Sequence, residues 1–274
     1  IDSIYVAFKN LKQYRKTSVS KYHERFSFPY LMGTYFTYRK IDVKRVATIV
    51  NAISDYEKKY KNKFLEVGCG NCDFFQKINE FVNGILGYER NSVMLYVLHK
   101  KIPESVKITD VTKIKDEELE KFNVIFVGWM DPGEDFRYKI SKMTDVIITT
   151  LDQGLSLAAE YEEYGFEKIA KWTTPSWEDV NIEIMNRYYT EIDYEVLKRL
   201  SRLRGAHNFW YIYSKNPDKT KVIKTVLQRK LEEEKKDLHG YGFEKVLDIL
   251  GFGYMQSIEL YDARKIKLWD IEFY

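Results

Sequence analysis

The sequence predicts an α/β fold built on a doubly wound, mostly parallel sheet. Three observations carry that expectation. From residue 64 to residue 165 short apolar runs alternate with stretches of helical period. The first run, Phe64-Leu65-Glu66-Val67, breaks into Gly68-Cys69-Gly70-Asn71-Cys72 and then a helix-like stretch. Glycines at such a turn let the backbone approach a ligand, and the helix start presents free N–H groups. The run Val124–Val127 is apolar without alternation, which suits a strand covered on both faces.

Each element follows from its local pattern. Residues 1–41 are aromatic and basic without a clean period, and read as an N-terminal helical segment or lid broken at Pro29 and Gly33. Asp42 to Tyr60 carries Val43, Val46, Ile49, Val50 and Ile53 near helical spacing and ends in a lysine-rich tip. Strands are expected at Phe64–Val67, Gly84–Tyr88, Val106–Ile108, Val124–Val127 and Val146–Thr150. Helices are expected at Asp73–Val82, Asn91–Lys100 and Leu155–Tyr164, with a short acidic helix or turn at Asp116–Lys121. After Gly165 come longer, aromatic strands, Phe166–Trp172, Val180–Tyr189 and Asn208–Ser214, with a basic helix Tyr194–Arg204 between the last two. Thr220–Leu238 is a charged helix with Val222, Ile223, Val226, Leu227 and Leu231 on one face. Residues 216–274 read as an α+β appendage to a domain spanning 42–215.

Composition narrows the class. The 274 residues fit one large domain, or a smaller one with extra pieces. Aromatic content is high at 16%, with 22 tyrosines. Forty-four basic residues against 41 acidic leave a net charge of only +3, which does not indicate a general nucleic-acid binder. No apolar run reaches the length of a membrane span, and no signal-peptide core is visible. Both cysteines sit in one motif, so a disulfide scaffold is excluded and a reducing, cytoplasmic setting is expected. Abundant Lys, Glu, Ile and Tyr with four His lean toward a thermophilic source.

The candidate site is a set of residues at fixed offsets. Glu89 follows Gly68 by 21 residues and ends the second strand, and Asp110 follows Glu89 by 21 more and ends the third. A carboxylate at the first of these places accepts from both ribose hydroxyls in many nucleotide-binding α/β proteins. Together with the glycine turn, residues 42–215 resemble the class I (Rossmann-like) S-adenosylmethionine (SAM)-dependent methyltransferases, and Glu66 to Cys72 resembles their motif I. The resemblance implies a seven-stranded sheet, SAM as cofactor and S-adenosylhomocysteine as product. It implies that Glu66 faces the amino-acid end of the cofactor, that Gly68, Cys69 and Gly70 form the cradle, and that Glu89 and Arg90 stand at the ribose. Asp110 would take the adenine amino group, with Val111 or Ile108 flanking the ring. The loop Gly128-Trp129-Met130-Asp131-Pro132-Gly133 would face the methyl acceptor, with Asp131 as base or amino-group acceptor and Trp129 supplying a ring. Cys72 stands where many members carry glycine. Gly133 and Glu134 replace the second proline and the aromatic of the motif used on base amino groups.

Plainer roles stand beside these. Glu66 can be a strand-edge partner of a lysine, Glu89-Arg90 a surface ion pair, Asp110 a cap of the turn before Thr112, and Asp-Pro-Gly an ordinary turn. Trp172, Trp177, Tyr188 and Tyr189 suit the core better than a pocket, and Asp152 is a further candidate acid. A nicotinamide site is disfavoured because Asp73 occupies the sixth position of the fingerprint, beside a pyrophosphate. Cys69 and Cys72 form C-x-x-C at a strand-to-helix junction, so a dithiol oxidoreductase is the less favoured alternative, with the helix start lowering a thiol pKa. One such pair does not complete a zinc site. A catalytically inactive RNA- or protein-binding subunit is the other alternative. For RNA the feature is the helix bearing Lys198, Arg199, Arg202 and Arg204, which suits a solvated face better.

Overall fold

The computed structural model describes residues 40–70, 72–90, 102–128, 130, 135–151, 160–173, 209–239 and 270–274. In chain order these form α1 (Lys40–Tyr56), β1 (Asn62–Val67), α2 (Asp73–Ile78), β2 (Ile85–Glu89), β3 (Val106–Ile108), β4 (Phe122–Val127), α3 (Arg137–Met143), β5 (Val146–Leu151), β6 (Glu167–Thr173), β7 (Phe209–Ser214), α4 (Pro217–His239) and β8 (Ile271–Phe273). The strands make one sheet in the order β3-β2-β1-β4-β5-β7-β6-β8. β3, β2, β1, β4 and β5 pair in parallel. β7 enters antiparallel between β5 and β6, and β8 pairs antiparallel with β6. Among the described residues this is the methyltransferase-type sheet that the resemblance implies, with eight strands where seven were expected.

Alternation along the strands feeds two cores. Phe64, Val124, Phe126, Ile148, Trp210 and Ile212 pack with Val46, Ile49, Val50 and Ile53 of α1, Phe74, Phe75 and Ile78 of α2, and Ile223 and Leu227 of α4. Leu65, Val67, Ile125, Val127 and Ile147 point the other way, against Ile140 and Met143 of α3 and against Tyr161 and Phe166. All six residues of β4 are buried, as its unbroken apolar run requires. A row of rings crosses the first core: Phe74 to Phe126 at 4.5 Å, Phe126 to Trp210 at 5.4 Å, and Trp210 to Trp172 at 5.7 Å between centroids. Trp172 is 1% exposed, so it fills the core as expected. Its indole Nε1 donates to Asp42 Oδ1 at 3.0 Å, and the Arg45 guanidinium lies 5.5 Å from its ring.

Several boundaries differ from the sequence pattern for local reasons. α1 stops at Tyr56, short of Tyr60, and Lys58 and Lys59 occupy a turn. α2 ends at Ile78 rather than Val82, although Val82 N–H still bonds Ile78 O. β6 and β7 pair antiparallel with each of their neighbours and so close the sheet beyond β5. α3 has no counterpart in the sequence expectation. The expected appendage, 216–274, contributes α4 to the helical layer beside α1 and β8 to the sheet. The union is polar as well as apolar: Arg45 Nε and Nη2 donate to the Glu234 carboxylate at 3.1 and 2.6 Å, with both side chains buried. Residues 1–39, the expected helix 91–100, the first half of the expected helix 155–164, the strand 180–189 and the helix 194–204 lie outside the described residues.

Candidate cofactor cradle

In an open α/β sheet, ligands bind beyond the carboxyl ends of the strands, where the strand order reverses. Here that point is β1, flanked by β2 on one side and β4 on the other. The chain leaves β1 through Gly68 (φ 76°) and Gly70 (φ 53°), both in the left-handed region that glycine occupies without steric cost. Gly68 N–H and Cys69 N–H both donate to Tyr88 O, at 2.8 and 3.3 Å, so the loop start is tied to β2. Cys72 N–H then closes the turn on Cys69 O at 2.7 Å. Cys72 itself has φ 62° and enters α2, so the residue standing at the family's glycine position does adopt a glycine-like backbone.

The two glutamates meet this loop. Glu66 sits opposite Gly87 in the parallel register, which places Glu66, Gly87 and Glu89 on one face of neighbouring strands. Both carboxylates are buried, Glu66 at 3% and Glu89 at 6% exposure. Gly70 N–H donates to Glu89 Oε2 at 2.7 Å, so the carboxylate that ends β2 reaches the glycine loop that ends β1. Gly68 is exposed and Gly70 half-buried, leaving backbone accessible between two buried acids.

Sequence reasoning missed a third glycine, Gly87. A Cβ there would lie 2.5 Å from Cys69 Sγ, 3.0 Å from Val106 Cγ2 and 3.1 Å from Phe75 Cε2. Gly87 is the notch into which the Cys69 side chain seats, and Cys69 Sγ also donates to Glu66 O at 3.4 Å. Cys69 therefore offers the site its backbone while its thiol packs inward. The available signal was a lone glycine inside a strand, which marks close approach of another element.

The Cys69 thiol does not behave as the helix-start argument expected. Burial pushes the Cys69 thiol well above its usual value, and its neighbours Cys72, Glu66 and Glu89 push in the same direction. Desolvation and two carboxylates outweigh the short α2. A standing thiolate, which dithiol oxidoreductase chemistry needs, is thus disfavoured at Cys69. Among the described residues there is also no group of three or more His, Cys, Asp or Glu arranged to hold a metal ion.

The outer positions divide. Asp110 stands past the end of β3, where its Oδ1 accepts from Thr112 N–H at 3.0 Å and Thr112 Oγ1 at 2.7 Å. Those bonds to Thr112, helped by Lys113, hold its carboxyl below the usual range against the opposing effect of burial. It caps the turn, as its plainer role foresaw, and stands at the strand end next to Glu89. Of the two residues expected to flank an adenine, Val111 is buried in the second core, whereas Ile108 pairs in register with Glu89 and is 56% exposed. Arg90 is exposed at the end of β2.

On the other side, Gly128 is buried and its carbonyl accepts from Thr150 Oγ1 at 2.7 Å, which fastens the chain leaving β4 to β5. Met130 is buried in the second core. Trp129, Asp131 and Asp152, the acceptor-side candidates, lie outside the described residues, as do Trp177, Tyr188 and Tyr189.

No protein-family model matches the chain, and no curated protein matches it in sequence. Among solved structures it is similar to a SAM-dependent methyltransferase from Archaeoglobus fulgidus, at 16% identity and a TM-score of 0.37, covering 63% of this chain and 94% of the other. It is similar to a TehB-like SAM-dependent methyltransferase from Corynebacterium glutamicum, at 12% identity and a TM-score of 0.38, covering 62% and 88%. A magnesium protoporphyrin IX methyltransferase from Synechocystis, solved with bound SAM, is similar at 10% identity and a TM-score of 0.38, covering 63% and 78%.

Proposed function

We propose that this chain is a SAM-dependent methyltransferase whose cofactor lies across the carboxyl ends of β1, β2 and β3. One observation carries the proposal: at the switch point of the sheet two buried carboxylates, Glu66 and Glu89, share a face, and one is bonded to the amide of a left-handed glycine loop. Such a cradle is electronegative. Glu66 beside the loop disfavours a pyrophosphate there, Glu89 suits ribose hydroxyls, and the pair together suits an ammonium group and a sulfonium. Glu89 would take the ribose hydroxyls, Glu66 would stand toward the amino-acid end, and the exposed Ile108 would lie along the base. Asp110 would take the adenine amino group.

The cofactor brings its own activation, a methyl group on a positively charged sulfur. The task of the chain is to align that methyl with the acceptor and to keep water out. Thr150 supports the acceptor side by holding the Gly128 carbonyl, which sets where the loop with Trp129 and Asp131 departs. A proton acceptor is needed only when the acceptor must lose its proton before attack, and Asp131 is the candidate.

Calorimetry with SAM and with S-adenosylhomocysteine tests the site. The wild type should bind both. Glu89→Ala should bind about 10- to 100-fold more weakly, the net loss of one charge-assisted hydrogen bond at about 1.5–3 kcal/mol. An unchanged dissociation constant in that variant removes Glu89 from the site, and absence of binding in the wild type removes the function. Transfer from methyl-labelled SAM to fractionated cell extract then separates an enzyme from a binding subunit.

A further inference from the structure

The C-x-x-C pair is the chemistry that the proposed transfer leaves unused. Cys69 and Cys72 are the ends of a turn closed by the Cys72 N–H to Cys69 O bond of 2.7 Å. A turn of this kind holds its end Cα atoms within about 7 Å, which overlaps the span of a disulfide. Both thiols are free and buried in the same core cluster, and the two side chains are hydrogen-bonding neighbours. Gly70 lies inside the turn, and its N–H is the one that Glu89 holds. The state of the two sulfurs is thereby coupled to the position of the cradle amide.

We propose that Cys69 and Cys72 form a reversible disulfide that switches the cradle from binding to non-binding under oxidising conditions, an inference that rests on the function proposed above. The oxidant is a peroxide: the two thiols lose two protons and two electrons and form the S–S bond, and hydrogen peroxide takes them up to leave two waters. A dithiol reductant reverses the step by exchange. In the dithiol form Cys69 Sγ is seated in the Gly87 notch and bonded to Glu66 O. Bonding to the Cys72 sulfur draws Cys69 Sγ out of that seat and carries the loop with it. Because both thiols are buried and Cys69 is held protonated, oxidation proceeds through local opening of the turn and is slow at neutral pH.

The test treats the wild-type chain with hydrogen peroxide and removes the excess. Intact mass, thiol titration after unfolding, and S-adenosylhomocysteine calorimetry follow, before and after dithiothreitol. The expected result is loss of two hydrogens and both thiols, an affinity at least about tenfold weaker, and recovery on reduction. Cys72→Gly, which suits the left-handed backbone at that position, should show no change in affinity on the same treatment relative to its own untreated form. Retention of both thiols, or a disulfide that leaves affinity unchanged, overturns the switch. Amide exchange over residues 66–75 provides a readout without ligand: the switch requires that it differ between the reduced and oxidised chain. If the reduced chain binds no nucleoside, the proposed function falls, while the mass and exchange measurements still decide the disulfide.

Discussion

Replacing Gly87 by alanine tests the link between the sheet and the cradle. The added methyl would stand 2.5 Å from Cys69 Sγ, with Val106 Cγ2 and Phe75 Cε2 at 3.0 and 3.1 Å. The two carbon contacts ask for shifts of a few tenths of an ångström. The sulfur contact asks for far more, and Cys69 is anchored by its backbone bond to Tyr88 and its thiol bond to Glu66. Overpacking of a filled core costs about 1–3 kcal/mol, and alanine recovers about 0.5–1 kcal/mol of strand propensity over glycine. The expected net loss is about 1 kcal/mol by urea denaturation. The sulfur contact predicts a signature: Cys69→Ala relieves it, so the double variant should be more stable than the sum of the single effects by at least about 1 kcal/mol. Gly87→Ala alone should also weaken S-adenosylhomocysteine binding, because the displaced sulfur carries the glycine loop. Strict additivity of the two substitutions, with unchanged ligand affinity, would refute the notch.

Other perturbations address the rest of the fold. Glu234→Ala should destabilise by about 3–5 kcal/mol in the same assay, since it leaves the Arg45 guanidinium, at 0% exposure, without its carboxylate; Glu234→Ala with Arg45→Met should recover a large part. Lys219 bonds Asp145 at 2.8 Å and also pairs with Glu57. Burial raises both carboxyls, but Lys219 and the nearby Lys215 and Lys59 outweigh it and hold them below their usual 3.8 and 4.5. Their stabilisation is therefore present above those values and lost as pH falls through the lowered ones, so the melting temperature should drop below about pH 4, with a shallower acid limb in Lys219→Met. Lys219 is itself raised, burial notwithstanding, by Asp145 and Glu57, so its own contribution fades only as pH climbs past its usual 10.5. Ile271→Ala, at a site 7% exposed in β8, should cost about 2–4 kcal/mol and increase aggregation by uncovering the edge of β6.

The parallel half of the sheet was legible because it is written in local patterns. Val124–Val127 announces burial on both faces, and Glu66, Gly68, Gly70 and Glu89 announce a glycine turn flanked by acids on successive strands. Those signals survive because a strand, a turn and a helix start each depend on neighbours in sequence. Asp110 shows where such spacing stops deciding: the same residue suits a ligand contact or a cap, and the bonds to Thr112 come from its own turn. The pairing of α4 with α1 was not legible, since Arg45 and Glu234 lie 189 residues apart and each reads alone as a surface charge.

By itself the sequence determined the α/β class, the strand-loop-helix that carries the glycines, and the presence of two acids at the ends of adjacent strands. Those follow from backbone preference and hydrophobic period, which are properties of short segments. Only the tertiary structure decided that Glu89 reaches Gly70, that Gly87 is hollow so that Cys69 can turn inward, and that burial keeps that thiol protonated. The same holds for the C-terminal strand that closes the edge of β6. Each of these depends on which residues meet across the sheet and how much water is removed when they do, and neither quantity exists until the strands have been brought side by side.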